Sequence, residues 1–209
     1  QIVVPGNHDV PLYNVLARFF WPLRSYRRYI GPTLSPFFAD AEIAILGANT
    51  ARSAAFHGGR VSPRQISSIR RRLRGYDERL TKILVTHHPF DLPEPFNEEP
   101  LVGRASEAMQ AFAECGADLL LAGHLHVSAT SRTAIRYQIG NYSALAVQAG
   151  TATSLQQRGE DNAFNLITIE RPTVTIERHV WQPDQRTFTP ATRDRYCRTR
   201  DGWVQHAAL

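Results

Sequence analysis

The chain of 209 residues reads as an α/β protein built as one sandwich of two sheets. Three observations predict this class. Short apolar runs alternate with helical patterns from the start of the chain to Leu121. Three of those runs, Ile2–Val4, Ile83–Val85 and Leu119–Leu121, lead directly into motifs that carry histidine, and the carboxyl ends of strands are where open α/β sheets place their sites. From Ala134 onward, strand-like runs follow one another without helices. Alternation followed by a run of strands fits one two-sheet unit better than two domains. Residues 1–181 are read as that domain, and 182–209 as a polar, arginine-rich and poorly ordered tail.

The elements follow from local pattern. Ile2–Val4 reads as a buried strand. Leu12–Phe20 and Leu23–Ile30 read as two short helical segments parted by Pro22, the second closed by Gly31. Phe37–Ala39 and Glu42–Leu46 form a strand pair. Pro63–Arg74 is a helix: Pro63 suits its first turn, Ile66, Ile69 and Leu73 keep helical spacing, and Gly75 ends it. Lys82–Val85 is a strand. Asp91–Gly103 is a loop with three prolines and the acidic Glu94, Glu98 and Glu99. Ser106–Glu114 is a helix stopped by Gly116, and Asp118–Leu121 a strand. Further strands are expected over Ala134–Ile139, Ala144–Gln148, Phe164–Glu170 and Thr173–Val180, with Arg171 and Pro172 turning between the last two.

Composition narrows the function classes. A hydrophobic content of 43% supports a real core, and no apolar run approaches the roughly 18–20 residues of a membrane span. No membrane partner is expected. Lys82 is the single lysine among 24 basic residues, a ratio that reflects genome-wide base composition and points to a GC-rich bacterial source. The net charge of +5 is spread along the chain. Its tightest cluster, Arg70–Arg74, is read as the solvated face of a helix, so nucleic acid is not an expected partner. Two cysteines, Cys115 and Cys197, are too few for a disulfide scaffold or a thiolate zinc site. The chain begins at Gln1 inside a predicted strand, without a signal peptide. It is read as the later part of a longer, cytoplasmic protein.

Five of the eight histidines fall in Gly6-Asn7-His8-Asp9, His87-His88-Pro89 and Gly123-His124-Leu125-His126. Each motif alone has a bland reading as a turn or a satisfied polar residue. Together, each behind a strand, they describe a metal pocket. His124 and His126 would point to opposite sides of an extended segment; in a loop leaving a strand they can flank a pair of ions, with Gly123 permitting close backbone approach. Imidazole and amide oxygen without thiolate favour Mn, Fe, Zn or Ni over calcium or a structural zinc. There is no Gly-x-Ser-x-Gly and no P-loop, which removes the serine hydrolases of that type and the P-loop ATPases.

These motifs resemble those of the calcineurin-like metallophosphoesterases, over Ile2 to Val180. Asn7-His8-Asp9 is similar to that family's third signature block, His87-x-Pro89 to the fourth, and Gly123-His124-x-His126 to the fifth. Gly59, Val61 and Gln65 resemble the conserved segment between the third and fourth. Gly150–Ser154 and Asn162–Asn165 resemble the bacterial branch that includes cyclic-nucleotide phosphodiesterases.

The resemblance implies a four-layer α/β/β/α sandwich of two mixed sheets, here without its first strands, and a site holding two Mn, Fe or Zn ions. It implies that Asn7, His87 and His124 bind one ion and His126 the other. His8 would face the leaving group as a proton donor, with Asp9 holding its imidazole and raising its pKa. His88 has no role implied and is read as a packed residue. The family's Asp-x-His and Gly-Asp-x-x-Asp blocks are not in the sequence, so the chain as it stands is expected to be nearly inactive. The reaction implied for the complete protein is two-metal hydrolysis of a small phosphate ester, a diester above all and cyclic nucleotides among the candidates. A phosphomonoesterase and a non-catalytic scaffold of the same fold are the alternatives. The Asp91–Gly103 loop is read as a solvated surface loop.

Overall fold

The computed structural model describes residues 1–55, 58–92, 101–153, 160–200 and 202–206. Two sheets stack face to face. The first has six strands in the order β1-β2-β3-β4-β6-β5: β1 Phe37–Ala39, β2 Ile43–Gly47, β3 Thr81–Val85, β4 Leu119–Ala122, β5 Ala129–Arg132 and β6 Leu145–Gln148. Strands β2, β3, β4 and β6 run parallel, with an antiparallel strand at each edge. The second sheet has the order β10-β9-β8-β7, from β7 Ala163–Glu170, β8 Thr173–Gln182, β9 Thr187–Thr199 and β10 Gly202–His206. The sequence leads to two mixed sheets; the second is antiparallel throughout. Its connections are short turns, which only antiparallel neighbours can use.

Helices α3 (Pro63–Arg74) and α4 (Ala105–Cys115) cover the outer face of the first sheet. The α3 boundaries match the sequence reading because both ends are encoded locally. Ser62 accepts from the Gln65 amide while the Gln65 side chain returns to Ser62, with Pro63 in the first turn. Ile66, Ile69 and Leu73 face inward, and Arg71, Arg72 and Arg74 lie in solvent, as expected of that arginine cluster. Phe112, Met109 and Leu73 are fully buried between α4, α3 and the sheet. Ile83, Leu119, Leu145 and Val147 project from the other face and meet Val174, Ile176, Tyr196 and Trp203 of the second sheet. That sheet's outer face is exposed at Phe164, Leu166 and Val204.

Three sequence expectations need correction. Ile2–Val4 forms no strand. Both edges of β2 are already taken, by β1 and β3. The segment instead packs Val3 on a small cluster with Leu23 and Tyr26, whose hydroxyl donates to the Val3 carbonyl at 2.8 Å. Ala134–Ile139 is not a strand either. Thr133–Ile135 is a 3-10 turn, and β5 occupies the ladder position beside β6. Arg136 and Tyr137 are drawn inward, the first to Asp91 at 2.8 Å and the second to the Phe90 carbonyl at 2.7 Å.

The third correction concerns the tail. Residues 187–199 and 202–206 are strands β9 and β10, the first paired with β8 and the second with β9. They look polar by composition because one face is wet, carrying Arg193 and Arg195, while Tyr196 and Trp203 turn into the core at 4% and 3% exposure. Arg198 pairs with Asp118, whose carboxylate also accepts the Lys82 amide at 2.9 Å. Residues 93–100 of the acidic loop, residue 154 of the Gly150–Ser154 motif, residue 201 and residues 207–209 lie outside the described residues.

Trp203→Ala tests the tail directly. Loss of a buried aromatic costs about 3–5 kcal/mol, so urea unfolding should show a clear fall in midpoint. A tail without a packed role would leave the midpoint unchanged.

Candidate metal centre

The site forms where β3 and β4 end. Register pairs Val85 with Leu121, and the ladder continues past both strands: the Thr86 amide donates to the Leu121 carbonyl at 2.9 Å, and the Gly123 amide to the His87 carbonyl at 3.1 Å. His87 and His124 therefore leave neighbouring strands at the same level. A 3-10 turn, Asn7–Asp9, brings the third motif to the same place.

There the Asn7 Oδ1 lies 2.9 Å from the His87 Nε2, and the His124 Nδ1 lies 3.2 Å from that same nitrogen. Two bonds of about 2.0–2.1 Å to one ion place their donor atoms roughly 2.9 Å apart at a right angle and about 3.3 Å apart at the tetrahedral angle. The spacing therefore suits ligands of one cation. His87 is half-buried, and burial first, then the fields of His124, His8 and His126, push its pKa down to about 4. At neutral pH its ring is uncharged, with a lone pair available to a cation.

His126 stands beside this trio. Its Nδ1 is buried with no hydrogen-bond partner among the described residues, as fits a side chain completed by a group from outside the chain. His124 and His126 both adopt left-handed backbone, with φ of 79° and 64°. Non-glycine residues adopt this conformation only where the surroundings impose it. The strain falls on the two histidines, and Gly123, expected to permit close backbone approach, has nothing within 4 Å of where a Cβ would stand. Between them Leu125 is buried and anchors the loop with Val127 and Leu92.

His88 is packed, as the sequence reading has it, and it also stands in the histidine cluster. Its ring is 1% exposed, with Nδ1 at 2.8 Å from the Thr50 hydroxyl. The ring is also packed, 4.8 Å from that of His87 and 4.5 Å from that of His124. His87, His88 and His124 each offer a ligand atom within 4.8 Å of the others. Two glycines make room. A Cβ on Gly6 would fall 2.8 Å from the His87 ring, and one on Gly59 would fall 2.3 Å from the His88 ring. Gln65 ties the Gly59 segment to the site through the Asn49 carbonyl at 2.8 Å and a bond from Arg52.

His8 is exposed on the turn. The Asp9 carboxylate, expected on that imidazole, instead accepts the Gly6 amide at 2.8 Å and so closes the turn carrying Asn7 and His8. Two supports went unread in the sequence. Gln148 ends β6 beside Ala122 and donates to the Gly123 carbonyl. Glu160 accepts the Ser128 amide at 2.9 Å and pairs with Arg178. A glutamine closing the apolar run Leu145–Val147 was the one available signal.

No curated protein matches the chain. Among solved structures it is similar to a single mutant of Vps29 from Entamoeba histolytica, at 16% identity over 60% of this chain and 88% of that one, with a TM-score of 0.29. A double mutant of the same protein gives 16% identity, 59% and 87% coverage and a TM-score of 0.30. The calcineurin-like phosphoesterase profile matches residues 1–128, the span that holds all three histidine motifs, and the chain belongs to that family.

Proposed function

We propose that this chain carries part of the active site of a metal-dependent phosphodiesterase. The observation behind this reading is the pair of short distances from His87 Nε2, to Asn7 Oδ1 and to His124 Nδ1. Asn7, His87 and His124 would hold one ion, and His126 would serve a second. Bound there, divalent or trivalent ions such as Mn, Fe or Zn supply charge neutralisation at phosphate oxygens and acidify water.

The chain's own residues do the rest. His87 stays neutral and keeps its lone pair for coordination. The Asn7–Asp9 turn presents His8 to solvent, where its imidazole can pass a proton to a departing alkoxide. Asp9 acts as a positioning residue, since its bond to the Gly6 amide holds the turn that carries His8. Small diesters are the proposed substrate class. Cyclic nucleotides come first among them, on the Gly150–Ser154 and Asn162–Asn165 similarity.

Hydrolysis of bis(p-nitrophenyl) phosphate by the full-length protein, with added Mn²⁺ and a chelator control, tests the reading. Turnover that the chelator stops supports it. Metal bound to folded protein without turnover of diesters would replace it with a monoesterase or a scaffold. His124→Ala and Asn7→Ala should each abolish turnover and lower the bound metal measured by elemental analysis; near-normal activity in either variant would sink the ligand assignment. His8→Ala should keep its metal and slow turnover by about 10²–10⁴. Loss of metal there would make His8 a ligand.

A further inference from the structure

Helix α1 (Val15–Phe20) reverses the usual order of burial, and α2 (Arg24–Tyr29), which buries Tyr26 and exposes its arginines, follows it. The only charged residue of α1, Arg18, is 2% exposed. Its guanidinium donates to the carbonyls of Ser53, Pro11 and Ala55 at 2.6, 2.9 and 2.8 Å. The apolar residues of that helix face outward, with Leu16 68%, Phe19 58% and Phe20 68% exposed. Trp21, Tyr29 and Ile30 continue the patch at 59%, 73% and 57%. Of the 14 exposed large hydrophobics among the described residues, nine lie between Leu12 and Ile30. A coherent patch of this kind marks an interaction surface.

Charge selects the partner. From Val10 to Ala39 the chain has no acidic residue, and Arg24, Arg27 and Arg28 are exposed beside the apolar patch. A second copy docked on the same patch would bring these like charges together. Aromatic and aliphatic side chains with arginine at their margin, and no carboxylate, are the composition of a segment lying in a lipid interface. Beside it a cavity of about 500 Å³ is lined by Phe20, Trp21, Leu34, Arg24 and Arg27, with apolar walls and two exposed arginines to receive an acidic headgroup.

We infer that the α1–α2 segment docks this protein onto an anionic lipid surface. No helix among the described residues is long and apolar enough to cross a membrane; the proposed docking is peripheral, and it departs from the sequence reading, which expects no membrane partner. Val10, which follows the Asn7–Asp9 turn, is buried in the same cluster as Leu23 and Tyr26 of this segment. Docking therefore sets the metal centre close to the lipid surface. The inference does not depend on hydrolysis.

Flotation of the full-length protein with phosphatidylcholine vesicles, with and without phosphatidylglycerol, is the test. Binding should require the anionic lipid and weaken with salt. A triple variant with Phe19→Ser, Phe20→Ser and Trp21→Ser should bind at least about tenfold more weakly, as should one with Arg24→Gln, Arg27→Gln and Arg28→Gln. Circular dichroism melting of both should match the parent, since all six side chains are exposed. Brominated lipid should quench tryptophan fluorescence, and Trp21→Phe should remove that quenching. Failure of the parent to float would overturn the inference, as would equal binding to neutral vesicles or full binding by the apolar variant. A parent that is dimeric by light scattering and ignores vesicles, with a monomeric apolar variant, would assign the patch to a second copy instead.

Discussion

Parallel pairing of β3 with β4 is the constraint on which the rest depends. Its register sends Leu84 and Leu120 to the helical layer, and Ile83 and Leu119 to the second sheet. A slip of one residue would exchange these faces and bury the wrong set. The same register brings both strands to an end at one level, so that His87 and His124 emerge side by side. Strand β6 extends the arrangement. Its pairing of Gln148 with Ala122 places an amide where it can hold the Gly123 carbonyl. The hydrophobic core thus determines where the motif histidines stand.

The histidine cluster is costly without a partner. His88 is held out of water and His87 is half-buried, and a proton on His87 would place a positive charge beside His124, His8 and His126. The depressed pKa of His87 expresses that cost. Neutral imidazoles with converging lone pairs are the complement of a cation. Gly6 and Gly59 serve this cluster by letting the rings of His87 and His88 sit against backbone. Thr50 orients His88 from the other side.

What could be read from sequence follows from whether the signal is local. Helix α3 was legible to the residue because Ser62, Pro63 and Gln65 encode its start and Ile66, Ile69 and Leu73 its buried face. The motif histidines were legible because each follows a short apolar run, although the first of these runs, Ile2–Val4, is not a strand. Whether an apolar run forms a strand depends on a free neighbour in the sheet, and its composition does not report one. Strands β9 and β10 were hidden for a related reason. Arg193 and Arg195 raise the mean polarity of a segment whose other face carries Tyr196, and only the alternation reveals it. The place of His88, and the bond of Asp9 to Gly6, depend on contacts made after folding and had no local signature.

Two places break local rules. His124 and His126 take a backbone conformation suited to glycine, and α1 buries its arginine while exposing its phenylalanines. Such departures are expected where a chain is shaped for something beyond its own stability. In the first case the strain is held at the two histidines of the Gly123–His126 motif. In the second, three backbone carbonyls bind Arg18 so firmly that the helix cannot roll to hide its apolar face. Rolling would leave the Ser53, Pro11 and Ala55 carbonyls without their donor and carry a charged guanidinium out of a fitted site, a loss larger than the exposure of any one side chain. The outward apolar face of α1 is therefore held in place by the bonds of Arg18.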